Sequence, residues 1–210
     1  GVTEMVTPGL ATHDKLLEHN SNNSLAGVHF GEQVNGISFL DISTGEFFVA
    51  QGDHEYTDKL LQTFQPAEVV FQKGRQADLG DHWVKKFYTY GLDPWIFDHR
   101  YAEEALLRHF GTYSLKGYGI EDMEEGIVAA GAVLHYLGDT VHPNTSHIAS
   151  IHRINRDEYL WMDQFTIRNL ELVYAGVEGG ATLLKTIDST VSPMGARLMR
   201  RWVLMPLVQK

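Results

Sequence analysis

Cysteine is absent from the 210 residues, so no disulfide braces the fold and no thiolate can complete a zinc site. Long apolar runs are missing too. The longest, residues 126–137, is broken by His135 and falls short of the ~20 residues a membrane-spanning helix needs. Nor does the N-terminus carry a basic, apolar, small-residue sequence of the secretory kind, which makes a cytoplasmic location the default expectation. Asn22-Asn23-Ser24 and Asn144-Thr145-Ser146 match the glycosylation pattern and are therefore read as loop residues. There is no Gly-x-x-x-x-Gly-Lys-Ser/Thr loop, Gly117-Tyr118-Gly119 lacks the third glycine of a dinucleotide fingerprint, and no Gly-x-Ser-x-Gly elbow is present. Nucleotide binding is thus not encoded by a known loop, and a serine hydrolase has no support.

Basic charge is also scarce. Lys and Arg number 17 against 27 Asp and Glu, a net charge of -10, which argues against a broad phosphate-gripping surface. The distribution says more than the sum. Residues 1–146 hold 9 basic and 21 acidic side chains, residues 147–210 hold 8 and 6, and such a step marks a domain boundary. It coincides with a linker-like stretch, 138–146, containing Pro143 and Asn144. With 43% hydrophobic residues the chain can bury one large core or two small ones. It begins with Gly1 rather than Met, and Lys210 follows Pro206-Leu207-Val208 with no polar tail, so it is expected to be cut from something longer.

Three strand-like segments open the pattern at 25–30, 36–42 and 46–51, joined by a turn closing on Asn35-Gly36 and by Ser43-Thr44-Gly45, residues that tolerate the dihedrals of hairpin connections. A helix over 53–64 follows, with Asp53 as cap, Tyr56, Leu60, Leu61 and Phe64 at helical spacing, and Pro66 as stop. Next come a fourth strand at 68–72, a fifth at 87–90, and a helix over 100–110 closed by Gly111. This element order is that of ribonuclease-H-like α/β domains. Asp122-Met123-Glu124-Glu125 has capping-box spacing before a small-residue helix over 126–137. Farther on, 147–154 and 158–162 read as extended, 166–174 as a helix, and Ser192-Pro193 as the start of a helix presenting Met194, Leu198, Trp202 and Met205 on one face until Pro206 ends it.

A ribonuclease-H-like order raises nuclease chemistry first, since two-metal cleavage needs carboxylates gathered on the central strands. The first strand has no acid and the fourth runs into Gln72 and Lys73. Asp41 and Glu46 flank a hairpin turn, where acids commonly hold backbone amides. His142, His147 and His152 recur every five residues, a spacing that suits neither a helix face nor a strand face as a metal site. Arg197, Arg200 and Arg201 form a stripe that could face phosphate or a neighbouring domain, although cations near a helix C-terminus also favour the helix dipole.

Several longer strings resemble the MutS family of DNA mismatch-repair proteins, in that family's order. Val6-Thr7-Pro8-Gly9, Leu40-Asp41-Ile42-Ser43-Thr44-Gly45-Glu46-Phe47, Pro66-Ala67-Glu68-Val69 and Leu115-Lys116-Gly117-Tyr118-Gly119 resemble its connector domain. Residues 162–172, with Met162 where Leu is usual, and 188–202, with Ser192 where Thr is common, resemble the start of its core, or lever, domain. The resemblance implies a ribonuclease-H-like connector over 1–146 and a truncated, mainly helical lever segment over 147–210. It also implies that mismatch reading, DNA clamping and ATP hydrolysis with Mg lie outside these residues. No cofactor, metal or catalytic residue is then expected here, nor tight DNA binding by this stretch alone. The expected role is to couple mismatched-DNA binding to the ATPase and to offer a surface to MutL-type proteins, with a second MutS subunit and DNA as partners of the longer protein. Glu103, Glu104 and Arg108, on the outward face of the 100–110 helix, are the candidate partner contacts. A stand-alone ribonuclease-H-like nuclease and an interaction module of a MutS paralogue are the alternatives.

Overall fold

The computed structural model describes residues 24–140, 145–177 and 179–209. Thr7-Pro8-Gly9 and residues 141–144 of the expected linker, His142 among them, lie outside the described residues. The described chain divides into two units, the first ending at Ile154 and the second beginning at Asn155.

The first unit is built on a six-stranded sheet. β1 (Ser24–Phe30), β2 (Asn35–Asp41) and β3 (Glu46–Gly52) form the antiparallel meander that the turn residues predict, with Leu25 opposite Leu40 and Phe39 opposite Phe48. β4 (Glu68–Gln72) and β5 (Tyr88–Leu92) add in parallel beside β1, giving the order β5-β4-β1-β2-β3, with β6 (His152–Arg153) parallel to β3 at the far edge. Three antiparallel strands followed by two parallel ones in this order are the ribonuclease-H-like topology. Strand alternation places Leu40 on the face covered by α4 (Glu124–Thr140) and Phe39 on the face covered by α1 (His54–Phe64), where its ring stacks on Phe64 at 4.1 Å. β2 is therefore buried along its whole length.

Close approach, more than bulk, fits α4 to the sheet. A Cβ at Gly36 would run into the Glu125 carbonyl, and one at Gly131 into Ala102 of the neighbouring helix α3 (His99–Phe110). Ser38 Oγ donates to the Ala129 carbonyl at 3.0 Å, satisfying a hydroxyl trapped in that contact. The cap expectations hold for α1, where Asp53 accepts from the Tyr56 amide at 2.7 Å, and for α3, where Gly111 closes the helix at φ +63°. Asp122 behaves differently. Its carboxylate accepts from Arg153 Nη1 at 2.7 Å, and α4 starts at Glu124. Between β4 and β5 lies a helix that the periodicity does not signal, α2 (Gln76–Lys86), kinked at Gly80 with φ +69°.

Residues 147–154, which the charge step groups with the following segment, lie in the first unit. Ile148 and Ile151 are buried in its core, His147 Nε2 lies 2.7 Å from the Ile42 carbonyl, and the Ile154 amide donates to Val49 at 2.8 Å. Apolar anchoring outweighs net charge in deciding where these residues go.

The second unit has less regular structure. Tyr159 bridges Leu207, and Val208 donates to the Glu158 carbonyl at 2.9 Å. α5 (Gln164–Asn169) starts on an Asp163 cap and ends before the expected limit at 174. α6 (Leu183–Ile187) starts on Thr182, and α7 (Pro193–Leu204) on the predicted Ser192 cap, whose Oγ accepts from Gly195 at 3.1 Å.

Candidate interaction surface

α3 packs inward through Ala102 and Leu106, both fully buried, and is pinned at its start by Asp98, which accepts from the Tyr101 amide at 3.0 Å. That orientation turns the charged positions outward. Glu104 and Arg108 are exposed and Glu103 is half-buried. Glu104 pairs across one turn with Arg100 at 3.6 Å, a solvated pair of small energetic weight.

Beside this face sits a hydrogen-bonded aromatic cluster. Tyr101 Oη lies 2.7 Å from His135 Nδ1, and His135 Nε2 lies 3.1 Å from Asp139 Oδ2. Burial, with the Asp139 charge adding, pushes the Tyr101 hydroxyl above its usual range. The phenol and the imidazole share one hydrogen bond, with donor and acceptor set by the imidazole tautomer, and the other ring nitrogen meets Asp139. The hydrogen bond between Tyr101 and His135 ties α3 to α4. Trp95 stands edge-on to both rings, 4.9 Å from Tyr101 and 5.2 Å from His135.

The sheet's acids are occupied structurally. Asp41 accepts from the Ser43 amide at 2.9 Å and the Ser43 hydroxyl at 2.6 Å, the turn role its position predicts. Glu68, fully buried on β4, accepts from Tyr136 Oη at 2.6 Å. His147 and His152 point to different partners, the Ile42 carbonyl and Ser150 Oγ, and among the described residues no three His, Asp or Glu side chains converge as a metal-binding group.

Sequence reasoning misses one titratable pair. His29 near the end of β1 lies 3.0 Å from Glu125 at the start of α4, beside a cleft of about 340 Å³ lined by Glu32, Gln51, Asp122 and Glu124. Burial, with Arg75 adding, lowers His29 to about 4, and burial, with Glu124 foremost among the charges, raises Glu125. At neutral pH the imidazole is uncharged, so Nε2 donates its hydrogen to the Glu125 carboxylate and Nδ1 is left buried with no described partner. Only tertiary structure brings the two together, so no local spacing could have found them.

In the second unit, Arg197, Arg200 and Arg201 are half-buried along α7, while Met194 and Trp202 on the expected apolar face are exposed.

Residues 23–149 match a family described as MutS domain II, and residues 165–210 match MutS domain III. Among similar curated proteins, the DNA mismatch repair protein MutS of Christiangramia forsetii is 53% identical over 99% of this chain. Those of Cytophaga hutchinsonii and Flavobacterium psychrophilum are 51% and 49% identical over the same share. The chain spans about a quarter, 24%, of the length of each.

Proposed function

We propose, from the premise that the chain belongs to the MutS family and comprises connector and lever-domain residues of a mismatch-repair protein, that it is a non-catalytic coupling part. Its sheet unit links mismatched-DNA binding to an ATPase housed, with ATP and Mg, elsewhere in the longer cytoplasmic protein, and its α3 face receives a MutL-type partner. A second MutS subunit and DNA engage the longer protein rather than this stretch alone. The observation carrying this reading is that the two family matches fall one in each structural unit, with the first unit closed around its own core. Two bodies joined in sequence can transmit a change of state by moving against each other. The working domain assignment is 1–146 for the connector and 147–210 for the lever segment, with 147–154 attached to the sheet.

The test uses full-length Christiangramia forsetii MutS with its matching segment replaced by this chain. Reversing the α3 charges (E103K, E104K, R108E) is expected to weaken mismatch-dependent MutL capture about tenfold, the size of a lost charged contact, with ATP turnover unchanged. Unaltered capture removes the α3 assignment. Mismatch-independent ATP turnover by both the unreplaced protein and the replacement would remove the coupling role.

A further inference from the structure

The two edges of the sheet are treated differently. At one edge β6 pairs with β3 at Phe48 and Val49, and Ile154 donates to the Val49 carbonyl. The other edge is β5, on whose outer side no described strand pairs. Lys73 donates to the Leu92 carbonyl at 2.8 Å, so Leu92, Tyr90 and Tyr88 turn their backbone groups toward β4, and strand alternation turns those of Thr89 and Gly91 outward. Among the described residues no hydrogen bond reaches those outward groups. Tyr88 and Tyr90 flank them at 53% and 44% exposure, Trp95 follows at 55%, and exposed Lys85 and Lys86 precede them. The strand itself carries none of the charged residues, prolines or bulges that usually blunt an edge.

We propose that the outer edge of β5 accepts an extended, acidic segment of a partner protein as an added strand. The outward amides and carbonyls of Thr89 and Gly91 supply the ladder. Tyr88 and Tyr90 pack the alternate side chains, with area that costs little conformational entropy to order. Lys85 and Lys86 select negative charge in a chain that is otherwise acidic, with a net charge of -10. A strand fits this edge better than a nucleic acid, because the unpaired groups alternate donor and acceptor at the spacing of another backbone. This surface is separate from the α3 charges, and its test is independent of theirs.

The experiment titrates the 210-residue chain with a short peptide alternating glutamate and valine, read by amide chemical shifts and hydrogen exchange. The Thr89 and Gly91 amides are expected to exchange faster than that of Tyr90 in the unbound chain, and to shift and become protected on binding. Lys85→Glu with Lys86→Glu, or Thr89→Pro, is expected to weaken binding about tenfold, one charge-assisted or backbone contact's worth. Should Thr89→Pro unfold the chain, the same peptide N-methylated through its centre makes the equivalent cut without altering the protein, and is expected to bind about tenfold more weakly. Unshifted Thr89 and Gly91 amides, equal binding by the N-methylated peptide, or tighter binding of oligothymidylate would each overturn the proposal.

Discussion

The sheet unit and the segment after it obey the same local rules but differ in what they bury. In the first, Leu25, Leu40, Phe47, Val49 and Ile127 are all but inaccessible. In the second, Leu172, Leu204 and Met205 are the buried apolar side chains among the described residues, while Phe165 is 74% exposed and Val191 91%. Yet α5, α6 and α7 each begin on a proper cap, Asp163, Thr182 and Ser192. Caps are specified within a turn of sequence and need no core. Burial needs partners from distant sequence, and helices of 6 and 5 residues such as α5 and α6 gain little from propensity alone. Amide hydrogen exchange resolves the contrast, with slow exchange expected in β1 and β2 and fast exchange in α5 and α6.

The largest disturbance is expected from Gly36→Val. Any Cβ there meets the Glu125 carbonyl, and backbone cannot rotate aside as a side chain can. Overpacking of this kind costs about 3 kcal/mol or more. Urea unfolding with exchange detection should show the loss throughout the first unit and leave α7 unchanged. Equal loss in both units would dissolve the contrast, because it would mean that they fold as one.

Acid offers a second way to separate the units. His29 is held at about 4 against an ordinary 6.5, so the unfolded chain binds the proton first. Stability is then full above pH 6.5, falls as pH drops toward 4, and levels below it. The loss amounts to at most about 3 kcal/mol. Glu125 works in the opposite sense, since its raised value means that protonation relieves a buried charge. His29→Gln should flatten the decline in the first unit's stability between pH 6.5 and 4. An unchanged slope would locate the acid sensitivity elsewhere.

These effects mark what the sequence makes legible. The meander, β4, α1 and α3 can be read because their signals are local: Asn35-Gly36, Ser43-Thr44-Gly45, Asp53 and Gly111 each act within a few residues. α2 escapes because Gly80, at φ +69°, interrupts the helical period midway. Residues 147–154 group with the sheet because Ile148 and Ile151, too short a run to register as core in the sequence, are buried there. For the candidate surface, the outward positions of α3 follow from periodicity, whereas His29–Glu125 and the outer edge of β5 depend on which strands become neighbours.

A smaller loss is expected from Tyr136→Phe. Glu68 is fully buried and Tyr136 Oη donates to it at 2.6 Å, so removing the hydroxyl takes one donor away from a buried acceptor. Taking a partner from a buried polar group costs about 1–3 kcal/mol. The variant should lose that much in the first unit, read by urea unfolding with exchange detection. A loss well below about 1 kcal/mol would mean that the hydroxyl adds little at this contact.

The smallest effect, and the cleanest for the second unit, is Ser192→Ala. Its hydroxyl accepts from Gly195 at 3.1 Å at the start of α7, and losing such a cap costs about 1 kcal/mol. Because the bond is local, the cost should fall on α7 amides alone and leave β1 and β2 exchange untouched. Ser192→Asp should restore it, since aspartate accepts the same hydrogen bond and its charge suits the helix N-terminus. If Ser192→Ala instead speeds exchange in the sheet, α7 is part of the first unit's cooperative structure, and local capping with an unfinished core is the wrong description of the second.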